Sequence, residues 1–125
     1  MIFDTDILIW AEKGNSKAMD LIEGSDERSL SIQSYMELIQ GARSTSDIKN
    51  TKNFLSDAEF RILPLTENIG HRALIYVEEY ALSFGMRSGD AIIAATAIEN
   101  NLSLATGNQK HFKVVKELKL RVFEP

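Results

Sequence analysis

The sequence predicts an α/β fold, a three-layer α/β/α sandwich whose central, mostly parallel sheet has about five strands. Short apolar runs alternate along the chain with segments whose apolar residues recur at helical spacing, which is typical of βαβ units. Acidic residues follow several of these runs, at the expected carboxyl ends of parallel strands. The chain has 125 residues and no internal repeat or linker, so we predict one domain over residues 1–125.

The first half of the chain contains two predicted strands and four helices. The apolar run at 1–5 ends in acidic residues, and the segment 7–13 ends near a Gly-Asn pair, which favours a strand followed by a short helix. A second short helix is predicted at 16–24 and a second strand at 28–33. The next two helices, one opening at Ser34 and one at 47–58, have apolar residues on one face.

The second half contains three helices and three strands, with the strands predicted at 60–65, 102–105 and 120–123. Thr66 begins the longest helix because it is a good N-cap residue, and Gly85 ends it. The helix predicted at 90–98 is apolar almost all round, and its alanines allow close packing, so we expect it to be central. A last short helix is predicted at 110–118.

Composition excludes several classes of protein. The chain has no cysteine, which rules out disulfides, thiolate catalysis and cysteine-based zinc sites. Apolar runs fall short of the roughly 18 residues of a membrane span, and acidic residues interrupt the first run, so we expect no signal peptide, no membrane association and a cytoplasmic location. The net charge of −4 argues against a nucleic-acid partner, but neutralising three carboxylates with a cation would nearly balance the 18 acidic and 14 basic residues.

Asp4, Glu37 and Asp90 are the candidate catalytic residues, at three points where a strand should give way to a helix. A carboxylate at the end of a parallel strand points into the crevice where open α/β sheets bind ligands. Several carboxylates there repel each other unless a divalent cation neutralises them, and hard oxygen ligands suit Mg²⁺ or Mn²⁺. Asp4 and Asp90 are therefore candidate metal ligands, with Glu37 as a further ligand or as the base for an attacking water.

Simpler structural roles stay open for these acids. Asp6 can cap the first helix. Ser34 and Glu37 match a capping box, in which the Glu37 side chain would reach back to the Ser34 amide. Asp90 near a helix N-terminus is favourable by about 0.3–1 kcal/mol without any function.

Four pieces of sequence carry a resemblance that spans nearly the full length. They are Ile2 to Thr5, Ser34-x-x-Glu37 followed by Gly41, the block 89–97, and 104–108 followed by Phe112. Their order and spacing resemble those of PIN-domain ribonucleases, specifically the VapC-type toxins of toxin–antitoxin pairs. The resemblance implies a parallel α/β/α sandwich whose acidic residues bind Mg²⁺ or Mn²⁺ and hydrolyse RNA. It also implies an antitoxin protein partner and a homodimer.

The resemblance assigns roles to particular residues, namely Asp4, Glu37 and Asp90 as the acids and Thr5 and Thr106 as supporting hydroxyls. The family often has a fourth acid after the fourth strand, where this chain has Asn108 and His111. Both are most simply structural residues, although an imidazole can bind Mn²⁺, and Asp6 is a candidate to compensate. Candidates to contact the RNA backbone are Arg43, Arg87 and Lys110.

Two other functions stay open. The start Phe3-Asp4-Thr5-Asp6 resembles the Asp-x-Asp motif of haloacid-dehalogenase phosphotransferases, with Asp4 as a covalent nucleophile, but Ala94 stands where that family's second acid is expected. The neutral residues at the fourth acidic position also suit a binding module with a degenerate site. Trapping an aspartyl-phosphate would identify the first alternative, and titration with Mn²⁺ would test the second.

Overall fold

A computed structural model describes residues 1–125 as five strands and seven helices, consistent with the predicted α/β/α sandwich. The strands are β1 (Ile2–Phe3), β2 (Ser29–Ser31), β3 (Arg61–Leu63), β4 (Leu104–Thr106) and β5 (Leu120–Val122). The helices are α1 (Thr5–Glu12), α2 (Ser16–Glu23), α3 (Ile32–Gln40), α4 (Thr45–Asp57), α5 (Glu67–Phe84), α6 (Ser88–Glu99) and α7 (Gln109–Phe112). None of these helices combines the length and apolar character that a membrane span needs.

The sheet has the strand order β3-β2-β1-β4-β5, and every neighbouring pair is parallel. The chain winds from β1 through β2 to β3 on one side, and then places β4 and β5 on the other. The order therefore reverses between β1 and β4. In open parallel sheets such a reversal leaves a crevice at the carboxyl ends of the two strands, where ligands bind.

Two apolar cores cover the two faces of the sheet. Ile2 and Leu104 belong to the core beneath α5 and α6, whereas Phe3 and Ala105 belong to the core beneath α1, α2 and α3. Adjacent strand residues point to opposite faces, so β1 and the first two residues of β4 are apolar on both faces. The predicted central position of α6 is confirmed, because its residues 93–97 are almost fully buried.

The predicted start of α3 is wrong. The helix begins at Ile32, and the Ser31 hydroxyl caps it by accepting a hydrogen bond from the Ser34 amide at 2.9 Å. Ser34 is therefore inside the helix, and Glu37 does not reach back to it. The capping-box interpretation of Glu37 fails, which leaves this carboxylate available for other contacts.

The predicted helix at 110–118 is also wrong, because α7 ends at Phe112. Beyond it the Val115 amide bonds to the Phe112 carbonyl and the Leu118 amide to the Val115 carbonyl. These three side chains are buried and recur every three residues. A period of three matches successive tight turns rather than the 3.6 residues of an α-helix turn.

Candidate active site

Asp4 lies at the carboxyl edge of the sheet, directly after β1, and is only 5% exposed. Its Oδ1 accepts a hydrogen bond from the Thr5 amide at 2.7 Å, which makes Asp4, rather than Asp6, the N-cap of α1. Its Oδ2 accepts the hydroxyl of Thr106, the last residue of β4, at 2.7 Å. Each carboxylate oxygen keeps a further lone pair for another partner. The structure thus joins Asp4 to Thr106 across the point where the strand order reverses.

Glu37 is held between two donors. The Thr5 hydroxyl donates to its Oε1 at 2.5 Å, and the Gln33 side-chain amide donates to its Oε2 at 2.9 Å. Gln33 lies one turn earlier on α3, and i,i+4 pairs share a helix face. Gln33 was not among the residues predicted for the site, although this spacing is visible in the sequence. Both oxygens of Glu37 are therefore fixed in direction.

The start of α6 packs closely against this carboxylate. A Cβ atom on Gly89 would lie 3.0 Å from Glu37 Oε2 and 3.1 Å from Gln33 Nε2, so a larger residue would require these two side chains to shift by a few tenths of an ångström. The next residue, Asp90, is in the first turn of α6, and its side chain is 22% exposed. Its Oδ2 lies 3.6 Å from Nδ1 of His111 on α7.

Asp6 forms a hydrogen bond to the turn that follows β4. Its Oδ1 accepts the Ile7 amide at 2.8 Å, and its Oδ2 accepts the Gly107 amide at 2.9 Å. A Cβ atom on Gly107 would lie only 2.6 Å from Asp6 Oδ2. In the same turn the Asn108 amide donates to the Thr106 hydroxyl oxygen at 2.9 Å, while the Asn108 side chain is exposed and makes no capping bond. Asp6 therefore positions the turn that carries Asn108 and leads into α7, where His111 lies.

The acids repel one another in this crevice. Burial, together with the negative charges of Asp6 and Asp90, raises the pKa of Asp4 from its ordinary 3.8 to about 7, against the opposing hydrogen bonds from Thr106 and Thr5. Burial also raises the pKa of Asp6, although the Gly107 amide opposes it. The pKa of Asp90 is raised by burial and by Glu37, with His111 acting in the opposite direction. These carboxyl groups are costly to ionise without a nearby positive charge.

The donor set has the chemistry of a hard-cation site. No three acidic or histidine side chains are already grouped around one point as metal ligands. The nearby donors are nevertheless carboxylate oxygens from three elements, and their charges raise the pKa values of Asp4 and Asp90. A divalent cation would relieve that repulsion. Oxygen donors of this kind suit Mg²⁺ or Mn²⁺.

The three basic candidates lie around this site. Arg43 lines a groove of about 980 Å³ between α1, α3 and α4, which also reaches Glu37. Arg87 is the N-cap residue of α6, and Lys110 is on α7 next to His111. All three are exposed, and none of their side chains forms an ion pair.

Comparison with known proteins agrees with the fold. A family model described as PIN domain matches residues 1–118. The chain is 35% identical over 123 residues to Ribonuclease VapC10 of Mycobacterium tuberculosis, which covers 95% of this chain and 90% of the relative. A toxin–antitoxin complex from Klebsiella pneumoniae has a chain 28% identical, with a TM-score of 0.83 and coverage of 99% and 98% of the two chains. VapBC2 from Rickettsia felis, bound to a DNA fragment from its promoter, shares the fold at a TM-score of 0.80 and 22% identity, with coverage of 99% and 100%.

Proposed function

The chain belongs to the PIN-domain family, and from that premise we propose that it is a metal-dependent endoribonuclease acting as the toxin of a toxin–antitoxin pair. The observation that carries this proposal is the approach of Asp4, Glu37 and Asp90 at the carboxyl edge of the sheet. The relative from Mycobacterium tuberculosis is named a ribonuclease, which supports the same activity. Family membership favours this interpretation over a phosphotransferase that uses Asp4 as nucleophile.

Asp4 and Asp90 are the residues we assign to the metal, which is Mg²⁺ or Mn²⁺. When bound, such a cation neutralises charge on a phosphate and lowers the pKa of a water molecule. The Thr106 hydroxyl fixes the direction of the Asp4 carboxylate. This leaves the remaining lone pairs of that carboxylate for the cation.

Glu37 is the residue we assign to the attacking water, either to orient it or to accept its proton. A base must be held within hydrogen-bond reach of the proton that it takes. The Thr5 hydroxyl and the Gln33 amide fix the two oxygens of Glu37, so its orientation is set before RNA binds. Gly89 keeps Asp90 and Glu37 close together. Arg43, Arg87 and Lys110 surround the site, where they can contact the RNA backbone.

We assign an antitoxin to the groove between α1, α3 and α4. The groove adjoins Glu37, and the solved relatives with this fold include toxin–antitoxin complexes. Ile9 lines the groove and is 41% exposed, and Trp10 and Met36, each next in the chain to a lining residue, are 40% and 47% exposed. A homodimer is part of the same proposal, with Leu74 and Leu82 on α5 as exposed apolar contacts.

The activity is tested with a fluorogenic RNA and purified protein in Mg²⁺, in Mn²⁺ and in EDTA. We expect cleavage with either metal and none in EDTA, and a loss of at least roughly 100-fold in D4N and D90N because each removes a charged ligand. D57N is the matched control, since Asp57 is exposed at the end of α4. Equal cleavage with and without chelator would refute the metal mechanism. Tight Mn²⁺ binding without cleavage of any RNA would favour the degenerate binding module.

The antitoxin assignment is tested separately. A protein encoded next to this chain should inhibit cleavage in vitro, and I9A, in the lining of the groove, should weaken that inhibition without reducing cleavage by the free enzyme. F84A is the control, because Phe84 is 61% exposed on α5, outside the residues that line the groove. Inhibition that is unaffected by changes in the groove would place the antitoxin elsewhere.

A further inference from the structure

Positive charge is concentrated in one short segment of this acidic chain. Residues 110–121 contain five basic residues and one acidic residue, a net charge of +4. The other 113 positions contain nine basic and seventeen acidic residues, a net charge of −8. A partner that carries negative charge is therefore attracted to this segment and repelled by much of the remaining surface.

α7 and the turns after it carry four exposed lysines at a spacing of three residues. Buried Phe112, Val115 and Leu118 recur every three residues and anchor the segment in the core. The lysines follow the same period, so they stand outside while the apolar residues stand inside, and all four are exposed. We call these residues the basic strip: Lys110, Lys113, Lys116 and Lys119.

The lysines of the basic strip have no acidic partner within the chain. None of its side chains forms an ion pair within the chain. The one acidic residue of the segment, Glu117, is already engaged, because its carboxylate accepts the Tyr76 hydroxyl at 2.6 Å and lies 3.7 Å from Arg72. Exposed lysines without partners contribute little to folding. A row of them with regular spacing thus points to a ligand outside the chain.

The strip begins at the candidate active site. Lys110 and His111 are neighbours on α7, and His111 lies 3.6 Å from Asp90. From there the lysines continue through the turns to Lys119, just before β5, the strand at the edge of the sheet. A polyanion on the strip would have one end in the crevice.

We propose that the basic strip binds the phosphate backbone of single-stranded RNA and guides the strand into the active site, an inference that rests on the proposed ribonuclease function. Lysine recognises phosphate as a point charge and does not read base edges, so this contact is independent of sequence. The strip lies outside the residues assigned to the metal. It should therefore contribute to RNA affinity rather than to the chemical step.

The test uses the triple variant K113Q/K116Q/K119Q and a control, K49Q/K52Q/R61Q. The control removes the same number of charges from exposed residues of α4 and from β3, at the opposite edge of the sheet. Binding of a 30-nucleotide fluorescent RNA of mixed sequence is measured by anisotropy at several salt concentrations. Both triples are made on the D4N background, so that the RNA stays intact.

We expect the strip variant to bind RNA roughly tenfold or more weakly. The slope of log affinity against log salt should fall by about 2, because each phosphate contact on a single strand contributes about 0.7. With Asp4 restored, the loss should fall on KM rather than kcat. K113R/K116R/K119R should restore binding, since it retains the charge. If the control variant lost the same RNA affinity and salt dependence, the effect would come from net charge alone and the proposal would be wrong. Normal RNA affinity in the strip variant would also overturn the proposal.

The outcome is separable from that of the proposed function. If the unmodified protein neither binds nor cleaves RNA, the ribonuclease function itself fails, whatever the variants do. If cleavage is normal in the strip variant while inhibition by the antitoxin or binding to promoter DNA is lost, the strip serves a different partner and our proposal is wrong. Circular dichroism and thermal melting confirm that each variant is folded.

Discussion

Replacing Asp4 with asparagine should make the metal-free protein more stable at alkaline pH. Burial and the neighbouring acids raise the pKa of Asp4 to about 7. Between the ordinary pKa of 3.8 and this value, the folded state binds a proton that the unfolded state has lost. The free energy of unfolding therefore falls as pH rises through this window, and is lowest above the folded pKa. Asparagine does not titrate, so the variant lacks this contribution.

The size of the effect follows from the shift. A difference of about three pKa units corresponds to about 4 kcal/mol, of which about 2.5 kcal/mol falls between pH 5 and pH 8. The hydrogen bonds of Asp4 can survive the substitution. In the D4N variant the side-chain oxygen still accepts the Thr5 amide, and the new amide group can donate to the Thr106 hydroxyl, whose oxygen already accepts the Asn108 amide and has a second lone pair.

Denaturant unfolding in EDTA, at half-unit steps from pH 5 to pH 8, measures the difference between the two proteins. We expect the unmodified protein to lose stability relative to D4N across this range, and D57N to follow the unmodified protein. Subtracting the D4N curve removes the contributions of Asp6 and Asp90 that do not depend on Asp4. Parallel curves would show that the pKa of Asp4 is not raised. A D4N variant less stable at pH 8 would show that its hydrogen bonds outweigh the repulsion.

Two further substitutions test the loop after β4. G107A should lose about 1–3 kcal/mol of stability and most cleavage, because the added Cβ would lie 2.6 Å from Asp6 Oδ2; G70A, at an open position in α5, should gain about 0.5–1 kcal/mol. If G107A and G70A changed the melting temperature equally, the close contact between position 107 and Asp6 would be refuted. N108D should tighten Mg²⁺ binding roughly tenfold in calorimetry by adding a carboxylate, whereas N53D on exposed α4 should not. If the unmodified protein already bound Mg²⁺ tightly and N108D left the affinity unchanged, position 108 would not contribute to the metal site.

Much of the fold could be predicted because β1 and β4 are buried and begin with apolar residues. The helices have period 3.6 or caps such as Thr66 and Gly85. The errors arose where two local signals competed. Ser31 and Ser34 are both good cap residues, and only packing decides which one begins α3. The apolar pattern after α7 has period three, which we interpreted as a longer helix.

The acids of the candidate site could be predicted, but their partners could not. Asp4 and Asp90 stand out because each adjoins an apolar segment, whereas Glu37 was selected with Ser34 at a helix start that the structure places at Ile32. The bond from Thr5 to Glu37 joins residues 32 positions apart, and the bond from Thr106 to Asp4 joins residues 102 apart. Such pairs depend on the strand order, which hydrophobic periodicity does not specify. The Gln33 contact is local, and its spacing of four residues was a signal that we did not use.

The segment from Asp4 to Asp6 explains how the chain tolerates several acids in one crevice. At the junction of β1 and α1, three consecutive side chains bond to distant parts of the chain: Asp4 to Thr106 of β4, Thr5 to Glu37 of α3, and Asp6 to the amide of Gly107 in the turn after β4. The repulsion among the carboxylates is thus offset by hydrogen bonds that tie the sheet to its neighbours. A cation would remove the repulsion and leave those bonds in place. Because a ligand that binds only the folded state stabilises it in proportion to the logarithm of its concentration, metal affinity can be read from melting temperature independently of cleavage.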